Sequence, residues 1–165
     1  MIFGISTATY TFVHVVLSLV GIGSGFAVLF GLLVGKRLEG WTALFFTTTA
    51  ATSLSGFGFP FQKLTPGQII GVISLAVLMV AILARYSLHL TGAWRRTYVI
   101  AVLVALYLNV FVAIVQAFEK IPALKALAPT QSEPPFLVAQ LLVLAAFIAV
   151  GVLATKRFQT QQAAA

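Results

Sequence analysis

Five apolar stretches dominate the sequence, and each is long enough to cross a lipid bilayer as a helix. A helix rises about 1.5 Å per residue, so a hydrocarbon layer about 30 Å thick requires about 20 apolar residues. The stretches are residues 8–35, 41–59, 66–88, 96–118 and 135–155. A helix that is apolar on all sides belongs in a protein core or in lipid. The sequence therefore predicts an all-α, polytopic integral membrane protein, with five transmembrane helices in a compact bundle and a single membrane domain over residues 1–165.

Composition and charge support this class of protein. Of the residues, 61% are hydrophobic and 8% are charged, whereas about a quarter of a soluble domain is charged. The net charge of +7 is scattered between apolar runs, so we expect contacts with anionic headgroups of the bilayer and none with nucleic acid. The first basic residue is Lys36, which argues against a signal peptide, and we expect the first span to be retained.

Local chemistry marks the boundaries between the stretches. The second is the least apolar, because seven Ser or Thr interrupt it, but such hydroxyls bond back to helix carbonyls and are tolerated in a span. Thr65 to Gln68 reads as a capping box with proline at the first helical position, which starts the third span. The outer loop covers residues 119–134 and lies in a proline-rich connection, in which residues 122–127 are predicted to form a short interfacial helix.

Basic residues predict the orientation. Seven fall on one side and three on the other, and the richer side should be cytoplasmic. The N-terminus then faces outward, and residues 156–165 form a cytoplasmic tail. We expect a multi-pass protein of a bacterial inner (plasma) membrane. The seven are Lys36, Arg37, Arg85, Arg95, Arg96, Lys156 and Arg157, and the three are Lys63, Lys120 and Lys125.

Polar side chains of four spans are predicted to meet at one depth in the outer half of the bundle. In the first span, which we expect the others to pack against, His14 shares a stripe with Ser18, Gly21 and Gly25, because helices stack positions three, four and seven apart. Polar groups in hydrocarbon should face other helices or a wet cavity. The candidate ligand-binding residues are His14, Ser18, Thr52, Ser55, Asn109, Gln116 and Gln140.

No constellation in the sequence supports catalysis, so we do not expect an enzyme. There is no cysteine, no aspartate, no HExxH and no Cys/His cluster, which argues against a metal site or a membrane protease. Ser18 lies one turn from His14, but no buried carboxylate would orient that pair. A b-type haem usually needs two axial imidazoles, and His14 has no partner within one chain. We therefore expect no cofactor.

Two hypotheses of different class remain, with a weaker third. The first is a small protein whose polar outer-half cleft binds or translocates a small solute or a lipid headgroup, with His14 able to switch charge with pH. It would act as a homo-oligomer, joined through Gly21/Gly25 or Gly31/Gly35. The second is a non-catalytic accessory or scaffold subunit that packs against a membrane-protein partner. The third is a redox membrane protein linked to haem or quinone.

Overall fold

The computed structural model describes residues 1–60 and 65–163, and side chains as far as Phe158. The described chain is helical, apart from a single β-bridge between Ile2 and Ile5, so the all-α prediction is confirmed. The elements are α1 (Thr7–Leu33), α2 (Glu39–Ser55) with a 3₁₀ turn (Gly56–Gly58), α3 (Pro66–Ile82) with a π-helical turn (Leu83–Ser87), α4 (Trp94–Lys120), α5 (Pro122–Leu127) and α6 (Pro134–Ala163).

Among the described residues, four helices are long and apolar enough to cross a membrane. They are α1, α3 with its π-helical turn, α4, and α6 as far as Phe158. The remaining long helix, α2, has 17 residues and carries the hydroxyl-rich sequence. The membrane class is therefore supported by four helices, while the fifth crossing and the orientation stay predictions.

Helix starts follow the local chemistry that the sequence shows. Thr65 caps α3, because its side chain accepts from the Gln68 amide while Gln68 Oε1 accepts from the Thr65 amide. The short helix predicted over residues 122–127 is present as α5, which begins at Pro122, while its place at the membrane interface stays a prediction. The end of α1 falls at Leu33, two residues before Gly35, which adopts a φ of 68° that favours glycine.

The helices α1, α2, α3 and α4 form a ring in which each packs against its two neighbours, and α6 lies outside it against α1 and α4. The expectation that the others pack mainly against α1 needs correction, because α4 contacts α1, α3, α5 and α6. Small and branched side chains on several sides of α4 explain this position, since Val99, Val102 and Ala105 are all fully buried.

The ring is closed at one end and hollow at the other. We call the end that carries the α1–α2 turn the inner end, and the end that carries the N-terminus of α1 the outer end. A tight apolar core fills the inner half, with Phe45, Leu78, Val102 and Leu106 at most 2% exposed. This core gives the outer-end cavity a floor.

The glycines of α1 serve contacts within the chain. A Cβ at Gly21 would lie 3.3 Å from Thr48 Oγ1, and one at Gly31 would lie 2.9 Å from Leu38 Cγ. Gly21, Gly25 and Gly31 are all buried, so they do not offer the surface through which self-association was expected. Oligomerisation therefore stays a prediction without a defined interface.

Candidate functional site

A cavity of about 710 Å³ lies at the outer end of the ring and is lined by α1, α2, α3 and α4. This volume falls within the roughly 300–1,000 Å³ of small-molecule sites in proteins. Most of the wall is apolar, with polar side chains contributed by all four helices. The polar and charged side chains are Thr11, His14, Ser18, Thr52, Ser53, Thr65, Gln68, Ser74, Asn109, Gln116 and Lys120.

The structure brings together five of the seven residues predicted from the sequence, namely His14, Ser18, Thr52, Asn109 and Gln116. Ser55 is not on the cavity wall but hydrogen-bonds to His14 Nδ1 at 2.8 Å. Gln140 lies elsewhere, on α6, where its amide nitrogen donates to the Phe111 carbonyl at 3.3 Å. Because α6 is outside the ring, Gln140 joins two helices and does not reach the cavity.

The fourth wall comes from α3, which contributes none of the candidate residues that the sequence predicted. Gly71 and Ser74 line the cavity together with Gln68. Small residues allow a neighbouring helix to pack closely against that face of the helix. Where the neighbouring helix is farther away, the same face borders empty space. The Gly67, Gly71 and Ser74 spacing was the available signal for this wall.

Hydrogen bonds fix the tautomer of His14. The Ser55 hydroxyl lies 3.0 Å from the Thr52 carbonyl, to which it donates. Its oxygen therefore accepts from His14 Nδ1–H at 2.8 Å, and the neutral imidazole keeps Nε2 as an acceptor. The ring also packs nearly perpendicular to that of Phe59, with centroids 5.2 Å apart. His14 is thus a positioned hydrogen-bonding group that joins α1 to the end of α2.

Two hydroxyls on the cavity wall depart from the pattern of the other helical hydroxyls. Seven Ser and Thr side chains on these helices donate to the carbonyl four residues earlier, namely Thr11, Ser18, Ser24, Thr42, Thr48, Thr97 and Thr155. In contrast, the buried hydroxyl oxygens of Thr52 and Ser74 have no hydrogen-bond partner within the described part of the chain. Buried polar atoms are nearly always paired, and both residues line the cavity. The two oxygens are shielded in this conformation, so a rotation about χ1 would be needed to turn either hydroxyl toward a molecule in the cavity.

Asn109 forms the floor. Its amide nitrogen donates across the ring to Thr49 Oγ1 at 3.0 Å, and it passes 3.7 Å from the point where a Cβ on Gly21 would lie. A Cβ at position 21 would touch this bond only in ordinary van der Waals contact and would press instead on Thr48 Oγ1, at 3.3 Å. Immediately toward the inner end, Gly25 meets Phe45 and Leu106. The floor therefore consists of one amide–hydroxyl bond supported by apolar packing.

One formal charge lies on the wall. Among the described lining residues, Lys120 is the single charged side chain, and it is exposed at the outer rim. The neighbouring Glu119 accepts from the Gln116 amide nitrogen at 3.2 Å but is not part of the wall. The cavity thus combines apolar surface, uncharged hydrogen-bonding groups and one cation at its mouth.

The residues around the cavity offer no metal-binding cluster. Within residues 1–60 and 65–163, no three His, Cys, Asp or Glu side chains are close enough to hold an ion. The arrangement is suited to binding through hydrogen bonds and apolar contact. Comparisons of the chain with protein-family models, with curated proteins and with solved structures found no match.

Proposed function

We propose that this chain is an integral membrane protein that binds a small, mostly apolar molecule with polar groups in the outer-end cavity. The observation that carries the proposal is the cavity wall, which is mostly apolar and includes Thr52 and Ser74, two residues whose shielded hydroxyls have no partner within the described part of the chain. An unpaired buried hydroxyl costs on the order of 1–3 kcal/mol. Ligand groups that pair with them would recover this cost, and Asn109 and His14 add further hydrogen-bonding groups beside them.

The cavity favours binding over free passage. Its floor is backed by Phe45, Val102 and Leu106, which are fully buried. Passage of a solute to the inner end would require this core to open. A small neutral solute or a lipid headgroup is the ligand class that suits the wall, since most of it is apolar and its deep polar groups are uncharged.

Five crossings are part of the proposal, and the pairing of α1 with α2 supports them. The two helices run antiparallel from Gly31 beside Leu38 to Tyr10, whose hydroxyl donates to the Ser55 carbonyl at 2.7 Å. The 17 residues of α2 and three of the 3₁₀ turn span about 31 Å at their usual rises, close to the hydrocarbon thickness. The basic residues then favour a cytoplasmic inner end, and a bacterial inner membrane stays a prediction.

A thermal-shift titration with a neutral amphiphile tests the site. We suggest 1,2-octanediol as the probe, because it carries two hydroxyls on a short apolar chain. The purified protein in nonionic detergent should show a saturable rise in Tm, since a ligand that binds the native state stabilises it. Ala113→Phe, which places a ring in the cavity, should abolish the response. Ala145→Phe, on the exposed face of α6, is the matched control and should respond like wild type.

A hydroxyl-deletion variant tests the observation itself. Thr52→Val with Ser74→Ala should be at least as stable as wild type without probe, because it removes unpaired buried groups, yet it should bind the diol more weakly. If Ala113→Phe responds like wild type, the cavity is not the binding site. If no protein shows a saturable response, the binding function fails, and the accessory role becomes the better hypothesis.

A further inference from the structure

We propose that the α1 side of the cavity recognises a hydrogen-bond donor, so that the bound molecule is an apolar alcohol whose O–H group donates to His14 Nε2. This inference rests on the proposed function and specifies the ligand class. Two observations carry it, namely the direction of the hydrogen bonds along α1 and the accessibility of the imidazole nitrogen that those bonds leave without a proton.

The first observation concerns the polar stripe of α1 on the cavity wall, which consists of Thr11, His14 and Ser18. Thr11 donates its hydroxyl hydrogen to the Thr7 carbonyl at 2.9 Å, and Ser18 donates its own to the His14 carbonyl at 2.8 Å. A hydroxyl has one hydrogen to donate, and a neutral imidazole has one N–H. Because the N–H of His14 is used on Ser55 at 2.8 Å, only lone pairs of this stripe remain for a ligand.

The second observation is the state of His14 Nε2. The Ser55 hydroxyl donates to the Thr52 carbonyl, so it accepts from His14 Nδ1–H and leaves Nε2 unprotonated. Within the described residues Nε2 has no hydrogen-bond partner, and unlike the hydroxyl of Thr52 it is not shielded. An unprotonated imidazole nitrogen accepts a hydrogen bond but cannot donate one. Nε2 therefore accommodates a donor and rejects an acceptor.

The amides on the α4 wall do not share this restriction. Asn109 and Gln116 each donate one amide hydrogen within the protein, but a side-chain amide has a second N–H and a carbonyl oxygen. Such a group can pair with either a donor or an acceptor of the ligand. The α1 stripe is therefore the part of the wall that selects between them. No described lining residue is acidic, so a neutral O–H suits the site better than a cationic donor.

Apolar side chains beside the stripe would contact the body of the ligand. Val15 and Leu19 line the cavity from α1, and Val112 lines it from α4. A ligand carbonyl placed against His14 Nε2 would set two acceptors against each other, and both would lose water without gaining a hydrogen bond. An alcohol should therefore bind more tightly than the ketone with the same carbon skeleton.

A pair of probes that differ only in this group tests the inference. The alcohol 2-octanol has an O–H donor, whereas 2-octanone has the same skeleton with a carbonyl acceptor alone. Dissociation constants of both would be measured by thermal-shift titration of the full chain in nonionic detergent at about pH 8, where an ordinary histidine is neutral. We expect 2-octanol to bind about fivefold more tightly, since one hydrogen bond contributes roughly this factor.

Two variants should remove this preference in different ways. His14→Phe keeps an aromatic ring beside Phe59 but has no acceptor, so 2-octanol should lose its advantage while 2-octanone binds as before. Ser55→Ala, outside the cavity wall, removes the acceptor of Nδ1–H. The imidazole can then carry its proton on Nε2 and donate to the ketone, so 2-octanone should bind more tightly than it does to wild type.

The other histidine provides the control. His89 is exposed between α3 and α4 and lies outside the cavity. His89→Asn suits the local backbone, because His89 has a φ of 48° and asparagine tolerates such values. This variant should retain the wild-type preference for 2-octanol.

Nitrogen NMR reads the tautomer of His14 without a ligand. The sequence contains two histidines, so protein whose histidines carry the NMR-active nitrogen isotope gives two imidazole signal sets, and His89→Asn assigns them. The unprotonated nitrogen resonates well downfield of the protonated one. At the same pH we expect His14 to carry its proton on Nδ1, and a proton on Nε2 would overturn the inference.

The inference and the proposed function fail in different ways. If 2-octanone binds wild type as tightly as 2-octanol, or if His14→Phe retains the preference, the donor-selective site is wrong. The cavity would still be the binding site as long as Ala113→Phe abolishes the response to both probes. If Ala113→Phe changes neither response, both proposals are wrong. Circular dichroism of each variant confirms that a lost response does not come from unfolding.

Discussion

Of the glycines in α1, Gly25 leaves the least room for a side chain. A Cβ there would lie 2.5 Å from Leu106 Cδ1 and 2.9 Å from Phe45 Cε2. Both side chains are fully buried, so neither has free space to move into. We expect Gly25→Ala to lower the free energy of unfolding by about 1–3 kcal/mol through overpacking, as measured by reversible denaturation in detergent.

Gly23 provides the matched control for Gly25. It lies on the same helix, is exposed, and a Cβ there would meet nothing within 4 Å. Gly23→Ala should raise the stability by up to about 1 kcal/mol, because alanine is the better helix former. Equal effects of the two substitutions would contradict the close packing of α1 against Phe45 and Leu106.

In the outer loop, Glu133 holds the residues that lead into α6. Its carboxylate accepts from the Thr130 amide at 3.1 Å and the Thr130 hydroxyl at 2.9 Å, and from the Ser132 amide at 3.1 Å. Desolvation alone would raise the pKa of Glu133, but the hydrogen bonds from Thr130 and Ser132 outweigh it and hold the pKa below its ordinary value.

The direction of this shift sets a pH dependence. The pKa of Glu133 is lower in the folded than in the unfolded chain. Its contribution to stability is therefore complete at pH values above the unfolded-state pKa, and it is lost as the pH falls through the folded-state pKa. We expect hydrogen-exchange protection of the Thr130 and Ser132 amides, corrected for intrinsic rates, to fall as the pH is lowered below about 4. Glu133→Gln should show weaker protection that varies little over this range. Full protection of wild type in acid would contradict the assignment.

Among the elements, helix ends were predictable from the sequence, while the partners of each helix face were not. The capping box of α3 and the start of α5 at Pro122 depend on residues within one turn. Whether Gln140 reaches the cavity depends on whether α6 belongs to the ring, and the packing of whole helices decides this. The sequence placed polar residues of α1, α2 and α4 in one site, and the cavity is lined by residues of all three. It predicted α6 as the fourth helix of the site, whereas the structure has α3 there.

Another element-level difference is the end of α2. The second apolar stretch was predicted to run to residue 59, whereas α2 ends at Ser55 and continues as a 3₁₀ turn. Tyr10 packs against this turn, where a side chain at Gly58 would overlap its ring. The contact comes from a residue about 50 positions away in the sequence, so no local pattern could reveal it.

At the inner end, Arg85 connects α2, α3 and α4. This side chain lies in the π-helical turn, pairs with Glu39 at 2.6 Å and donates to the Tyr98 hydroxyl at 2.9 Å. The two partners differ in exposure, since Tyr98 is 1% exposed and the Glu39 side chain 68%. The contact with Tyr98 should therefore dominate the energy.

We expect Tyr98→Phe to lower the free energy of unfolding by about 1–3 kcal/mol, because it leaves a buried guanidinium N–H without its acceptor. Glu39→Gln should cost less, because the Glu39 side chain is 68% exposed and the glutamine carbonyl can still accept from Arg85. Denaturation of both variants in the same detergent measures the difference. A larger loss for Glu39→Gln would show that the ion pair, and not the phenol, holds the inner end together.

For the whole molecule, the ring has one closed and one hollow end, and α6 packs on its outside with little of its surface buried. A helix with this apolar, exposed surface requires lipid or another protein around it. The cavity and the closed core occupy opposite halves of the same four helices. If the cavity binds a ligand as we propose, the direction of insertion decides which side of the membrane supplies that ligand.

The number of crossings is testable because the sequence contains no cysteine, so single cysteines give no background labelling. Gly40 lies in the first turn of α2 and Pro60 follows its 3₁₀ turn, and both are exposed. If α2 crosses the membrane, Gly40→Cys and Pro60→Cys lie on opposite sides. If α2 stays on one side, with only four crossings, both positions face the same side.

We expect a membrane-impermeant maleimide to label Pro60→Cys in intact cells and to label Gly40→Cys only after permeabilisation. Ser132→Cys, in the exposed outer loop, should label like Pro60→Cys and fixes which side is outside. Thr91→Cys, exposed between α3 and α4, should behave like Gly40→Cys. Labelling of Gly40→Cys and Pro60→Cys from the same side would mean that α2 does not cross the membrane and that the protein has four crossings. The reverse pattern for all four positions would keep five crossings but place the cavity on the cytoplasmic side.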